Sequence, residues 1–297
     1  MELFGLIEDL RDRLRPIRSQ MFPQQVLLQL QDDSVRGQGL ANTIPEPLSI
    51  QAPLPALTCR GGMPLEREPL GDLIGDLLID DGRIEPYVLA SLPSKAAQWR
   101  VIVWPFEEWP DDPAEALRQI DPPLNLGYPL AEAYLDLQPL PGKPRQMLLA
   151  AAQRNLVDGW IEVFSLAGAK LDRLAPTQSC LFAAIQPQLQ ATPADQLVVL
   201  LAPEPDAVEL LLLRAGIPVF ERQLPLEEEA LLSELKRCLD FYRRQDTAVQ
   251  SLRVLLAEPM DLEHHLQLAL GVTPEVLDPQ PFATLVLQGL ATQEVTP

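Results

Sequence analysis

The residues that most often carry out catalysis are few in this sequence and poorly placed for it. The two histidines, His264 and His265, are adjacent, so on a helix they point to different sides and cannot act as a pair on one face. The acid pairs at 80–81 and 111–112 are typical of turns and helix starts. No G-x-S-x-G nucleophile turn and no lysine-bearing phosphate loop occurs. The sequence therefore offers no acid, base or nucleophile to an enzyme.

The net charge and the cysteine usage limit the classes of binding partner and the cellular compartment that we expect. The 297 residues carry 42 Asp and Glu against 23 Lys and Arg, for a net charge of −19 at pH 7. Such an acidic surface repels phosphate backbones and anionic headgroups, so we expect no nucleic-acid partner. Cys59, Cys180 and Cys238 are widely separated, as in proteins of a reducing cytosol. We find neither a membrane span nor the basic start of a secretory signal, and we therefore expect a cytoplasmic protein.

The second half of the chain has the clearest pattern of elements. Three apolar runs predict strands, and helices and strands then alternate. The predicted order is β at 197–201, 208–213 and 217–224, α at 226–244, β at 252–257, α at 261–270, β at 275–277 and α at 282–290. Three antiparallel strands followed by alternating helices and parallel strands make the ribonuclease-H-like unit, and two such units facing each other make the actin-like plan.

The first half follows the same plan with an interruption. Runs at 26–30 and 35–40 predict a hairpin, followed by a third strand at 48–50 or 56–59, a helix at 70–79 and a strand at 100–104. Strands at 133–137 and 145–151 and a helix at 156–167 then predict an inserted α+β subdomain over about residues 95–168. A strand at 170–174 and a helix at 177–187 return to the main unit. We predict a first lobe over 23–190 and a second lobe over 191–297.

Residues 1–22 precede the first lobe and predict an amphipathic helix. Its apolar positions recur at helical spacing until Pro16: Leu3, Phe4, Leu6, Ile7, Leu10 and Leu14. One interpretation is a helix that packs on the body of the protein or frays at the terminus. The other is a helix that docks on a partner or a membrane surface, and its balanced charges weaken the membrane version.

Several segments, taken in order, resemble one known family. Residues 128–140 read YPLAEAYLDLQPL, a Pro-Leu followed by an acid and a strand. Further segments are a strand, an alanine-rich turn and a helix at 147–168, a glycine turn with an arginine-ended strand at 216–222, a helix at 234–244 and a closing Gly-Leu-Ala at 289–291. Together they resemble PilM-type type IV pilus assembly proteins, which are related to the division protein FtsA and to the cytoplasmic part of GspL proteins of type II secretion.

This resemblance implies a fold and a role. The implied fold is α/β and actin-like, with duplicated ribonuclease-H-like βββαβαβα lobes and a small α+β domain of SHS2-like type inserted in the first lobe. The implied role is a non-catalytic cytoplasmic scaffold of a pilus or related secretion platform, peripheral to the inner membrane through its partners. The implied partner is the cytoplasmic N-terminal segment of a PilN-like bitopic membrane protein, and the assembly motor is a further candidate.

The resemblance also places three nucleotide-type loops in this chain. In relatives that bind nucleotide, glycines and small hydroxyl residues let backbone N–H groups approach phosphate. Here the corresponding positions carry mainly acids and prolines: Asp32, Asp33, Ser34 and Arg36 in the first loop, Pro203, Glu204, Pro205 and Asp206 in the second, and Glu258 and Pro259 in the adenosine loop. Prolines lack the N–H donor, and two carboxylates about 4 Å from a phosphate cost on the order of several kcal/mol.

We therefore predict degenerate loops, no catalytic residue, no cofactor and no metal. Two alternatives stay open, a magnesium ion that bridges Asp32 and Asp33, and a divergent actin-like ATPase of the same machinery. For the partner we expect an extended peptide that adds to a strand edge at 35–40, 100–104 or 133–137. The candidate anchors are Val35, Trp104, Phe106, Trp109 and Tyr134, and core packing competes as the role of Trp104.

Overall fold

The structure is a computed structural model that describes residues 24–41, 44–104, 110–119, 124–140 and 145–293. The predicted helix over 1–22 and the candidate anchors Phe106 and Trp109 lie outside the described residues. Within these ranges, no helix is both long enough and apolar enough to cross a membrane.

The described residues contain sixteen strands and seven α-helices. The strands are β1 (Gln25–Leu30), β2 (Ser34–Ala41), β3 (Ile44–Pro45), β4 (Ile50–Pro53), β5 (Cys59–Arg60), β6 (Met63–Pro64), β7 (Tyr87–Leu92), β8 (Ala97–Val103), β9 (Ala133–Pro139), β10 (Gln146–Gln153), β11 (Lys170–Pro176), β12 (Gln196–Pro203), β13 (Val208–Arg214), β14 (Ile217–Leu224), β15 (Ser251–Leu256) and β16 (Glu275–Val276). The helices are α1 (Arg67–Asp80), α2 (Pro113–Arg118), α3 (Arg154–Leu166), α4 (Thr177–Leu189), α5 (Glu228–Gln245), α6 (Glu263–Leu270) and α7 (Leu285–Thr292).

Two sheets share one topology. The six-stranded sheet has the order β11-β7-β1-β2-β3, with β4 also paired to β2, and the five-stranded sheet has the order β14-β13-β12-β15-β16. In both, an antiparallel hairpin begins the sheet and the strands added beyond its first strand are parallel to it. The predicted hairpin at 26–40 and the whole predicted order of the second half are confirmed.

One predicted strand of the first lobe was assigned to the wrong sheet. The strand of the six-stranded sheet that follows α1 is β7, whereas residues 100–104 lie at the end of β8 and just beyond it. Strand β8 belongs to a separate three-stranded sheet of order β8-β10-β9. The sequence of β7 is YVLASL, in which Ala and Ser weaken the β-propensity signal. Strand β7 is nevertheless buried, because it lies between β1 and β11. Tertiary packing, and not local β-propensity, therefore stabilises it as a strand.

The inserted sheet occupies residues 97–153, a shorter span than the predicted 95–168, because α3 packs elsewhere. Helix α3 lies against α1, and its apolar side chains share one core with that helix. The shared residues are Leu70, Ile74, Leu78, Leu156, Trp160, Val163 and Phe164. The inserted sheet itself packs on α4, where the rings of Trp99 and Phe182 are 5.5 Å apart.

The two lobes share a continuous apolar core. Helices α4 and α7 lie side by side between the two large sheets. The core takes Leu27 and Leu89 from one sheet, Val198 and Leu200 from the other, Leu181 and Ile185 from α4, and Leu287 and Leu290 from α7. A Cβ added at Gly289 would lie 1.7 Å from the carbonyl oxygen of Cys180, so the helix crossing requires glycine there.

We expect Gly289→Ala to lower the free energy of unfolding by about 3 kcal/mol or more, because the new methyl group overpacks a backbone contact. Gly75→Ala in α1 is the matched control: its Cβ would lie 3.3 Å from Ala167, and the gain in helix propensity offsets this tighter contact. Urea unfolding of both variants measures the difference. Equal stabilities would contradict the described crossing of α4 and α7.

Candidate functional site

Two of the predicted degenerate loops meet across the lobes at a short turn. After β7, Pro93 ends the strand, since it has no N–H to donate, and begins the single-turn helix Ser94–Ala96. The N-terminus of α4 holds this turn, because the Gln178 side-chain amide donates to the Ser94 carbonyl oxygen at 2.9 Å and the Thr177 hydroxyl donates to the Leu92 carbonyl oxygen at 2.7 Å. The turn is thereby fixed between the loop after β1 and the loop after β12.

Ser94 and Lys95 bind acids of both loops. The backbone N–H and the hydroxyl of Ser94 donate to Glu204 Oε1 at 3.0 and 2.6 Å. The Lys95 ammonium forms an ion pair with Asp206 and lies 3.9 Å from Asp32 Oδ2. Burial opposes the charge on Lys95, but the hydrogen bond to Asp206 and the nearby acids outweigh it and raise the pKa of Lys95. The ammonium therefore stays charged at neutral pH, between carboxylates of the two lobes.

Asp32 has a second role, which spacing alone could not show. Its two carboxylate oxygens accept hydrogen bonds from the backbone N–H groups of Gly61 and Gly62, both at 2.7 Å. Both glycines have positive φ, 59° and 76°, which turns their N–H groups toward one point. This pair of donors could hold an anion, and the carboxylate of Asp32 occupies it. Burial, together with the charge of Asp32, raises the pKa of the adjacent Cys59 thiol to about 12.

The other loop residues stabilise turns or lie at the surface. The Ser34 hydroxyl donates to Gln31 Oε1 at 2.9 Å and to Asp33 Oδ1 at 2.8 Å, which closes the first loop on itself. Arg36 reaches across the lobes, with its Nη1 3.6 Å from Glu258 Oε1. Pro203 ends β12, and Pro205 and Pro259 are exposed in their turns.

Little free space is left where these loops meet. The cavity between Gln29, Thr177, Glu204, Glu258 and Val286 has a volume of about 10 Å³. One water molecule needs roughly that much room, and a phosphate group is larger. In the described ranges, no three His, Cys, Asp or Glu side chains converge as ligands of a metal ion. As it stands, the space between Glu204 and Glu258 is too small for a phosphate group.

A buried acid beside this site did not feature among the predicted site residues. Glu209 on β13 is 2% exposed. Burial, followed by the charges of Glu221 and Glu204, raises its pKa to about 8. Burial raises the pKa of Glu221 on β14 to about 7, and the nearby backbone of Trp99 and charge of Arg100 in β8 oppose this shift. A glutamate inside the apolar run at 208–213 was the sequence signal for this pair.

The candidate anchors for a partner require a correction. Val35 is 1% exposed and Trp104 is 3% exposed, so both are core residues and offer no surface to a peptide. Strand β2 is also paired on both edges, to β1 on one side and to β3 and β4 on the other. Tyr134 on β9 is exposed, donates to Asp158 Oδ1 at 3.0 Å and lies under Arg154. Of the predicted walls, β8 and β9 are the outer strands of their sheet.

Comparisons with known proteins agree on the architecture. No family model matches the chain, and no curated protein matches it. Among solved structures it is similar to the PilM-PilN type IV pilus biogenesis complex, with a TM-score of 0.72 and 22% identity over 90% of this chain and 97% of that chain. A Bacteroides thetaiotaomicron protein with an actin-like ATPase fold matches with a TM-score of 0.57 and 10% identity over 91% of this chain and 96% of that one. The fold is actin-like.

A third similarity concerns type II secretion. The cytoplasmic domain of EpsL, an inner membrane component of that system in Vibrio cholerae, matches with a TM-score of 0.53 and 12% identity over 91% of this chain and 96% of that one. The predicted resemblance to PilM-type proteins is thus confirmed at the level of the fold. The SHS2-like type of the inserted sheet stays a prediction.

The buried acid makes stability depend on pH in a predictable direction. The pKa of Glu209 in the folded chain, about 8, lies above its ordinary value of 4.5, so the folded state binds this proton more tightly than the unfolded state does. The resulting stability is complete below the ordinary value and is lost as the pH rises through the folded pKa. Each pKa unit corresponds to about 1.4 kcal/mol.

We expect Glu209→Gln to flatten the fall in stability between about pH 5 and 8, since glutamine carries no charge into the core. Urea unfolding at several pH values, compared with the wild type, measures this. Glu132→Gln, at an exposed acid, is the control and should follow the wild-type curve. Parallel curves for wild type and Glu209→Gln would show that Glu209 does not titrate in this range.

Proposed function

We propose that this chain is a non-catalytic cytoplasmic scaffold of a type IV pilus or related secretion platform, and that it works without nucleotide. The observation that carries the proposal is the turn Ser94–Ala96, which binds Glu204 and Asp206 of the second lobe and faces Asp32 of the first. In this arrangement the protein's own side chains occupy the space between the nucleotide-type loops.

Nucleotide binding would have to break these contacts. Hydrogen bonds to a charged group contribute about 1.5–3 kcal/mol each, and Glu204 accepts two of them from Ser94. Displacing Lys95 from Asp206 would also leave three carboxylates close to an incoming phosphate. A penalty of about 4 kcal/mol already weakens binding about a thousandfold. The contacts therefore favour a chain that does not use ATP.

The proposed role and partner follow from the solved relatives. The similar structure with the highest identity among those reported above contains PilM together with PilN, and another belongs to an inner-membrane component of type II secretion. By analogy, we infer that this chain works at the cytoplasmic side of the inner membrane and binds the cytoplasmic segment of a PilN-like protein. We place that segment at the junction of the inserted sheet and the first lobe, where β9 is an outer strand and Tyr134 and Ile161 are exposed.

A melting scan with nucleotide tests the absence of ATP binding. A ligand present at 100 times its Kd would stabilise the protein by about 2.7 kcal/mol, so binding would raise the Tm measurably. We expect the Tm to be unchanged by about 5 mM Mg-ATP or Mg-ADP. Magnesium without nucleotide is the control. A nucleotide-dependent rise of several degrees would instead support a divergent ATPase of the same machinery.

A binding measurement tests the partner. The probe is a fluorescein-labelled peptide with the cytoplasmic N-terminal sequence of a PilN-like single-span membrane protein. We expect saturable binding, and we expect Ile161→Glu on α3 to weaken it at least tenfold, a loss of about 1.4 kcal/mol. Leu268→Glu, at an exposed apolar side chain on α6, is the matched control and should leave the affinity unchanged. No binding at high micromolar peptide would count against a PilM-like role.

A further inference from the structure

A second surface of the protein has the properties of a peptide-binding groove. It follows the outer edge of β14, which ends the five-stranded sheet, and faces β8, which ends the inserted sheet. Cavities of about 490 and 540 Å³ flank β14, and Phe220 lines both. Each volume is typical of a ligand site. We call this surface the β14 groove and define it by Val103, Arg214, Val219, Phe220, Phe241 and Arg244.

Backbone groups along the groove are free to pair with an added strand. Among the described strands, none pairs with the outer edge of β14 or of β8. The backbone N–H of Trp104 donates to the Arg145 carbonyl oxygen beside β10 at 2.8 Å, so the N–H of Trp99, five residues earlier, points away from β10. Because the direction of N–H and C=O groups alternates along a strand, those of Val101 and Val103 point to the same side. An extended segment lying in the groove can therefore hydrogen-bond to β8.

Exposed apolar side chains flank the same edge. Val103 is 72% exposed, Phe241 is 52% exposed and Val219 on β14 is 38% exposed. The Phe220 and Phe241 rings are 6.3 Å apart and form one aromatic surface. Phe220 packs partly against the core of the second lobe, and the Phe241 ring beside it is exposed. Aromatic anchors dominate many protein interfaces. Every second side chain of an added strand would face the same side, so apolar residues at alternate positions could meet these side chains.

The charge of the groove is opposite to that of the protein. The chain as a whole carries −19, yet the charged side chains that line the two cavities are mostly arginines: Arg100, Arg214, Arg222, Arg237 and Arg244, against Glu221 and Asp240. Burial raises the pKa of Glu221 to about 7, which weakens its charge near neutral pH.

Ion pairs inside the protein neutralise only some of these arginines. Arg214 pairs with Asp246, and Arg222 and Arg237 share Glu234. Neither Arg100 nor Arg244 has a carboxylate within 4.0 Å in the part of the chain that the structure describes. Arg244 lines the cavity of about 490 Å³, and Arg100 lines the cavity of about 540 Å³. A partner with acidic side chains toward both ends would complement them.

We propose that the β14 groove binds an extended segment of another protein, acidic toward its ends and apolar at alternate positions between them, by strand addition. Strand β14 has 8 residues and is about 26 Å long, so the bound segment has about the same number of residues. This site is separate from the junction at β9, and the proposal does not depend on a role in pilus assembly.

Selection from a displayed library of random twelve-residue peptides on the full chain tests the proposal. We expect the enriched peptides to be acidic and to alternate apolar with polar residues. A fluorescein-labelled copy of the most enriched peptide is then titrated with the protein. We expect Arg244→Glu to weaken its binding at least tenfold, and the neighbouring exposed Arg243→Glu, which does not line the groove, to change it less than twofold. The bound peptide should slow hydrogen exchange in Ile217–Leu224.

Five results would overturn the proposal. Enriched peptides without an acidic excess would remove the charge argument, and equal losses for both charge reversals would mean nonspecific attraction. Slower hydrogen exchange only outside β14 and β8 would show that the peptide binds elsewhere on the protein. Displacement by about 10 mM inorganic phosphate would identify a small-anion pocket, and self-association of the chain that Arg244→Glu abolishes would identify a second copy as the occupant. Melting curves of both variants confirm that each is folded.

Discussion

One ammonium group, that of Lys95, lies between the acidic loops of the two lobes. Around it stand Asp32 of the first lobe and Asp206 of the second, with Glu204 held by the neighbouring Ser94. Without this cation three carboxylates would repel one another across the cleft, at an energy that grows as water is excluded. The same contacts that draw the two loops together also fill much of the space between them, so the closure of the cleft and its small free volume have one cause.

A second, apolar contact fixes the lobes at the other side of the same cleft. Helices α4 and α7 pack between the two sheets, and their closest approach, Gly289 against Cys180, leaves no room for a side chain. A hinge motion of one lobe would expose this core and break the Lys95 contacts together. Two different kinds of interaction thus oppose opening. In this arrangement β9 and β14 remain outer strands of their sheets.

Patterns that are local in sequence were predictable, and contacts between distant residues were not. The strands of the second half are long apolar runs, and their order alone led to the fold. Strand β7 was missed, because its Ala and Ser give a weak signal and its burial comes from neighbours far along the chain. The role of Lys95 was missed for the same reason, since Ser94 and Glu204 are 110 residues apart. Val35 and Trp104 were taken as surface anchors, because apolar side chains on a strand look alike whether they face a core or a partner.

The sequence predicted that acids in the nucleotide-type loops would repel phosphate, and the structure adds that these acids have partners of their own. Asp32 fills the pair of N–H donors at Gly61 and Gly62, and Glu204 accepts from Ser94. In a nucleotide site, the ligand would bring negative charge and its metal would bring positive charge. Here carboxylates of the chain carry the negative charge and Lys95 carries the positive charge. A site that carries its own charges is independent of the supply of ligand. These acids and Lys95 therefore satisfy one another inside the folded chain, which is why loops without phosphate-binding glycines are compatible with this fold.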